Sequence, residues 1–159
     1  PVEATITKVT MGGQSTFVAH IRDVTARTAR EKALVESERR FHAIFDHAYE
    51  AIGLLDPAGT VLEINRAGRA LTEDRGGLIG QPLWDLPWIG RQDALDDEGR
   101  TRLKEAVQKA ADGEAQRFNV DIHQPSGVVQ IDLSLTPVRG ENGAVAYIIP
   151  EGRDVAKLG

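Results

Sequence analysis

The stretch IDLSLTPVRGENGAVAYIIPEGRDVA, residues 131–156, alternates apolar and polar side chains and turns at Glu141-Asn142-Gly143. It resumes as an apolar strand over Val145–Ile149 and reaches Arg153-Asp154-Val155. A period of two marks a strand with one covered and one wetter face. Asn-Gly is a hairpin turn pair because both residues tolerate positive φ. Residues 2–25, VEATITKVTMGGQSTFVAHIRDVT, repeat the plan: strand, glycine turn at Met11-Gly12-Gly13-Gln14, apolar strand, then Arg22-Asp23-Val24. The later copy is two residues longer after the turn. A repeat fixes the architecture that must be explained. Residues 1–24 are therefore expected to be the closing hairpin of an upstream copy, with a complete domain following it.

Working inward from the two hairpins, Ala26 to His47 contains neither Gly nor Pro and is rich in Ala, Arg, Glu, Lys and Leu. These are good helix formers, and Thr25 is the expected N-cap. Ala26, Ala33 and Arg40, with Leu34 and Phe41, recur at seven residues, the spacing of a short and weak coiled-coil seam. Ala51–Asp56 and Thr60–Asn65 read as two strands around Pro57-Ala58-Gly59, and residues 66–73 as a helix. Residues 74–92 hold Gly76, Gly77, Gly80, Pro82, Pro87 and Gly90 and predict short turns. Asp93 to Asp112 predicts a helix with Leu95, Leu103, Val107 and Ala110 on its apolar side, stopped by Gly113 as C′ glycine. Phe118, Val120 and Ile122 alternate with Asn119, Asp121 and His123, which predicts a strand before a turn at Pro125-Ser126-Gly127. The element order after the linker, β-β-α-(short helices)-α-β-β-β, predicts an α+β domain, preceded by a β-hairpin and a long linker helix. The expected boundaries are 1–24 for the hairpin, 25–48 for the linker helix and 49–159 for the complete domain.

The 159 residues carry 19 Lys+Arg against 24 Asp+Glu, a formal net charge of −5. That balance argues against a dedicated nucleic-acid binder, which shows a basic face. With no cysteine in the chain, disulfides, thiolate metal sites and cysteine nucleophiles are excluded. No apolar run approaches the ~18–20 residues that cross a bilayer, so no membrane contact is expected of this segment. The chain starts at Pro1 without Met, as a piece of a longer protein would. Catalysis has no sequence support: there is no Gly-x-Ser-x-Gly, no Walker loop and no His-Glu-x-x-His. His42 and His47 stand five apart on one helix, a poor spacing for a shared metal. Asp93, Asp96, Asp97 and Glu98 sit where carboxylates interact favourably with a helix dipole.

Several pieces, in order, resemble a PAS domain of the kind strung along bacterial signalling proteins. They are Phe41–His47 entering the domain, AIGLLDPAGTVLEINRAGRAL at 51–71, LIGQPLWDLPW at 78–88, GEAQRFNVDI at 113–122, VVQIDLSLTPV at 128–138 and EGRDVAKL at 151–158. Asp23-Val24-Thr25 is similar to that family's closing Asp-Ile-Thr tripeptide, and Asp154-Val155-Ala156 is the same site with Ala for Thr. The resemblance implies a five-stranded antiparallel sheet that encloses a small cavity with its helices. It implies sensing of ligand or light, or dimerisation alone, with a signal passed through the terminal helices and no catalysis.

Candidate cavity residues are Asn65, Trp84, Trp88, Phe118, Val120, Ile131, Leu133, Leu135 and Ile148. Trp84 and Trp88 share a face if a helical turn forms there despite Pro87. A hydrogen bond from Asn65 to a ligand competes with its use in bridging backbone groups at a strand-to-helix turn. No cofactor is expected. The family's cysteinyl-flavin adduct is excluded by the absence of Cys. The haem of the common type needs an axial His before the third strand, and residues 66–112 contain none. A small apolar ligand is compatible with the cavity, and so is a solid core. The function expected is a regulatory sensor and dimerisation module of a cytoplasmic bacterial signal-transduction protein, such as a sensor histidine kinase. It would form a homodimer through the linker helix, the N-terminal hairpin or both. The alternative is a pure protein–protein interaction module with a filled core and no ligand.

Overall fold

Two glycines with φ of 59° and 81°, Gly12 and Gly13, turn the chain between β1 (Val2–Met11) and β2 (Gln14–Asp23). The computed structural model describes residues 1–72, 77–88 and 95–157. The chain divides into two compact units, Pro1–Ala43 and Ile44–Gly159. In the first unit β1 and β2 pair antiparallel from Val2 opposite Asp23 to Met11 opposite Gln14. They form a two-stranded sheet of their own.

Helix α1 (Thr25–His47) follows directly. Its first bond runs from the Thr28 N–H to the Val24 carbonyl at 2.9 Å. Val24 therefore takes the N-cap position, one residue before the expected Thr25. Thr25 is already helical, and the Asp23 carboxylate accepts its N–H at 2.9 Å and its hydroxyl proton as well. An anion is a stronger acceptor than a hydroxyl at the positive end of a helix. These two bonds hold the Asp23 carboxyl below its ordinary pKa. The apolar side chains of α1 remain largely in solvent, with Leu34 60%, Phe41 46% and Ile44 76% exposed, whereas Phe45 is buried.

In the second unit β3 (Ala51–Leu55), β4 (Val61–Ile64), β5 (Gln116–Gln124), β6 (Gly127–Arg139) and β7 (Val145–Asp154) form one sheet of order β4-β3-β7-β6-β5. Every pairing in it is antiparallel, as the alternation requires. Helix α2 (Arg66–Thr72), a 3-10 turn at Leu83–Asp85 and helix α3 (Asp97–Ala111) join the strands. Leu55, Leu103, Val107, Leu135 and Ile148 are almost wholly removed from solvent. Each such side chain contributes about 1.5–3 kcal/mol by leaving water.

Two sequence expectations are adjusted. The last strand does not stop at Ile149. It runs through Pro150 to Asp154, because β3 and β6 flank it on both sides and pair Pro150 with Leu135 and Gly152 with Ala51. The second long helix was expected from Asp93, which lies outside the described residues. The Asp96 carboxylate caps that helix by accepting the Gly99 N–H at 2.7 Å. Gly113 closes it at φ 97°, its N–H donating to the Ala110 carbonyl.

Gly59 shows why the β3–β4 turn must be glycine. Its φ is 90°, and a Cβ there would stand 2.6 Å from the Trp84 ring and 3.0 Å from a Val107 methyl. Gly59→Ala should destabilise the second unit by about 2–4 kcal/mol, through positive-φ strain and displacement of Trp84. Urea unfolding followed by tryptophan fluorescence checks this.

Candidate ligand cavity

The buried polar centre of the second unit is Asn65, wholly removed from solvent. It ends β4 and precedes α2, so its side chain lies where four backbone groups converge. Asn65 Oδ1 accepts the N–H of Ile52 and of Gly68, each at 2.9 Å. Asn65 Nδ2 donates to the carbonyls of Phe45 and Glu50, each at 2.9 Å. One amide thus caps α2, satisfies an orphan carbonyl at the end of α1 and holds the start of β3. With all four bonds made inside the chain, its hydrogen-bonding capacity is used up. Of the two roles foreseen for Asn65, the structure displays the backbone bridge.

Beside it lies an apolar cavity of about 40 Å³, walled by the inner face of the sheet and by α2 and α3 residues. Of the nine candidate residues, Trp88, Val120, Ile131 and Leu133 line it. Asn65, Trp84, Phe118, Leu135 and Ile148 do not. Leu135 and Ile148 fill solid core nearby. Trp84 packs over Gly59 with the Lys104 ammonium 5.6 Å above its ring. Phe118 lies under the Arg102 guanidinium at 4.8 Å. The two tryptophans separate because the 3-10 turn ends at Asp85 and Leu86 is extended at ψ 144°, so no helical face carries both. Trp88 Nε1 is buried and has no hydrogen-bond partner among the described residues.

The cavity also depends on residues that periodicity did not single out. Gly53, Gly68 and Gly152 line it, together with Ile52, Leu71 and Pro150. All three glycines sit inside regular elements, where neighbouring atoms approach the backbone closely. A Cβ at Gly53 would meet Pro150 at 3.1 Å, and one at Gly152 would meet Ile131 at 3.2 Å. An isolated glycine inside a strand pattern is the available sequence signal for such close approach. Ile52 and Gly68 both line the cavity and both donate to Asn65. The void and the polar hub therefore share residues.

On the opposite face of the sheet a chain of charges runs Arg117–Asp132–Arg153–Glu50. Arg117 Nη2 stands 2.8 Å from Asp132 Oδ2, Arg153 Nε 3.4 Å from the same oxygen, and Arg153 Nη1 3.4 Å from Glu50 Oε1. The hydrogen bond from Arg117 holds the Asp132 carboxyl below its ordinary pKa. Among the described residues no group of His, Asp and Glu is arranged to hold a metal ion. His123 stands 3.5 Å from the Asp96 carboxylate and remains half in solvent.

Asn65→Ala should destabilise the second unit by about 2–4 kcal/mol, since it leaves buried backbone groups without partners. Thermal and urea unfolding measure this, and the nearly isosteric Asn65→Asp should not rescue it, because a carboxylate cannot donate to Phe45 and Glu50. The depressed pKa of Asp132 gives a second expectation. The stabilisation tied to its ionised form is complete above the ordinary value of 3.8 and is lost as pH falls through the lower folded value. Asp132→Asn should flatten the acid limb of stability against pH below about 4.

The profile of the PAS fold family matches residues 45–158. The sensor histidine kinase TmoS of Ectopseudomonas mendocina is 36% identical over 134 residues, covering 79% of this chain and 13% of that kinase. The hybrid signal transduction histidine kinase D of Dictyostelium discoideum is 31% identical over 134 residues, covering 79% of this chain and 8% of that protein. The chain thus spans a small part of the curated relatives it matches. Among solved structures, the PAS domain of an HTR-like protein from Haloarcula marismortui superposes with a TM-score of 0.56 at 24% identity, over 80% of this chain and 99% of that one. The chain belongs to the PAS fold family.

Proposed function

We propose that this chain is the regulatory sensor segment of a cytoplasmic bacterial signalling protein, such as a sensor histidine kinase of a two-component system, and that a small apolar ligand acts through the cavity beside Asn65. The observation that carries this reading is the apolar void whose lining residues Ile52 and Gly68 are hydrogen-bonded to the amide that also holds the end of α1. A cavity of about 40 Å³ is smaller than the ~150 Å³ that accommodates a benzene-sized molecule. A ligand of that size requires the packing around the cavity to expand. Its binding energy then favours an expanded packing over the closed one, which is a population shift. Displacement of Ile52 or Gly68 loads the Asn65 bonds and moves the Phe45 carbonyl at the end of α1.

Homodimerisation belongs to the same reading. The exposed Leu34, Phe41 and Ile44 of α1 give a seam through which two copies associate and carry the movement to an output domain. Catalysis resides in that output domain, and this segment regulates it.

A thermal-shift screen of small apolar compounds, with mass spectrometry of molecules released on gentle denaturation, tests the ligand. A ligand at 100 times its Kd should raise stability by about 2.7 kcal/mol. Val120→Ile, which places one more methylene in the void, should raise the stability of the free domain by up to ~1 kcal/mol and weaken the shift caused by any hit. The absence of any released species or stabiliser would instead favour an interaction module with a filled core. Light scattering over a concentration series tests the dimer, and a strict monomer at high concentration contradicts it.

A further inference from the structure

The hairpin β1–β2 has an exposed apolar face: Ile6 is 71%, Phe17 68% and Ile21 72% exposed. The hairpin β6–β7 shows what such a face is for. When the two are aligned on their shared Arg-Asp-Val, their cross-strand registers coincide. Val2 faces Asp23 as Ile131 faces Asp154, and Ala4 faces Ile21 as Leu133 faces Gly152. Ile6 faces Ala19 as Leu135 faces Pro150, and Lys8 faces Phe17 as Pro137 faces Ile148. In β6–β7 this face is core, with Leu135 and Ile148 fully buried. On the other face Glu3 opposes Arg22 as Asp132 opposes Arg153. Both hairpins end alike, the aspartate carboxylate accepting the N–H two residues on, at 2.9 Å from Thr25 and 2.9 Å from Ala156.

From this equivalence we infer that the apolar face of β1–β2 is the core surface of a second unit of the same fold, whose remaining strands and helices come from polypeptide outside residues 1–159. The occupant is specified by position. β1 stands where β6 does and β2 where β7 does, so the free edge of β1 takes a strand equivalent to β5 and that of β2 a strand equivalent to β3. A helix equivalent to α3 lies across Ile6 and Phe17. A second copy of this chain cannot supply these elements without a swap, because its own β3, β5 and α3 are engaged with its own β6–β7. An isolated two-stranded hairpin is marginally stable in water, so the surface needs a cover. The inference does not depend on whether the cavity beside Asn65 binds a ligand.

The test compares this chain with the polypeptide lengthened upstream of Pro1 by its own coding sequence, using amide hydrogen exchange. In the shorter chain the amides of residues 2–23 should exchange almost freely while those of β6–β7 are protected. In the lengthened chain they should slow by about 100-fold or more, as core strands do. Phe17→Asp should abolish that protection and unfold the added segment, leaving the exchange of residues 51–154 unchanged. Thr7→Asp, on the opposite face, should alter neither. Three results would overturn the inference: a gene with no such segment before Pro1, hairpin exchange unaffected by the added segment, or protection in the shorter chain that grows with its concentration, which would assign the face to a second copy.

Discussion

The Asn65 side chain is the constraint on which the second unit depends. A strand end, a helix start, a helix end and a loop meet in one place, and each leaves a backbone group that the regular ladders do not satisfy. Water cannot reach them, since Asn65 is wholly buried. A buried N–H or carbonyl without a partner costs about as much as a good hydrogen bond stabilises. A single amide, with two acceptor sites and two donors, meets all four. An aspartate would lack the donors, and a glutamine would carry its amide one methylene too far. The same bonds tie the end of α1 to β3 and α2.

Around this hub the core is uneven. Leu135 and Ile148 are packed solid, whereas the region of Gly53, Gly68 and Gly152 leaves a void. Apolar voids cost stability in proportion to their volume, so a domain that keeps one forgoes about 1 kcal/mol at this size. The void lies against residues that donate to Asn65, whose side chain also holds the Phe45 carbonyl at the end of α1.

Much of the fold was legible in the sequence because it rests on periodicity. Phe118-Val120-Ile122 and Ile131-Leu133-Leu135 alternate cleanly, and both glycine turns fall where φ must be positive. Strand ends were less legible. Pro150 reads as a stop, yet neighbours on both sides keep β7 in the sheet past it. The N-cap is Val24 rather than Thr25 because the Asp23 carboxylate accepts both the N–H and the hydroxyl proton of Thr25, which would otherwise serve as the cap. The cavity was legible only in part. Val120, Ile131, Leu133 and Trp88 were found as inward apolar residues, but alternation cannot separate residues beside a void from those in filled core, such as Leu135. Three of the residues lining the void are glycines, and glycine carries no periodic signal. Trp84 and Trp88 share a helical spacing, but the 3-10 turn that parts them is set by local backbone torsion.

The central claim is that occupancy of the cavity is felt at Asn65 and from there at the end of α1. Xenon enters dry apolar cavities without bringing any polar contact of its own. Nuclear magnetic resonance of the chain under xenon pressure therefore isolates the packing effect. The account predicts saturable shifts at the methyls of Val120, Ile131 and Leu133, accompanied by shifts of the Ile52 and Gly68 amides and of the Asn65 side-chain NH₂. Shifts confined to the methyls, with the Asn65 amide unmoved, would contradict it.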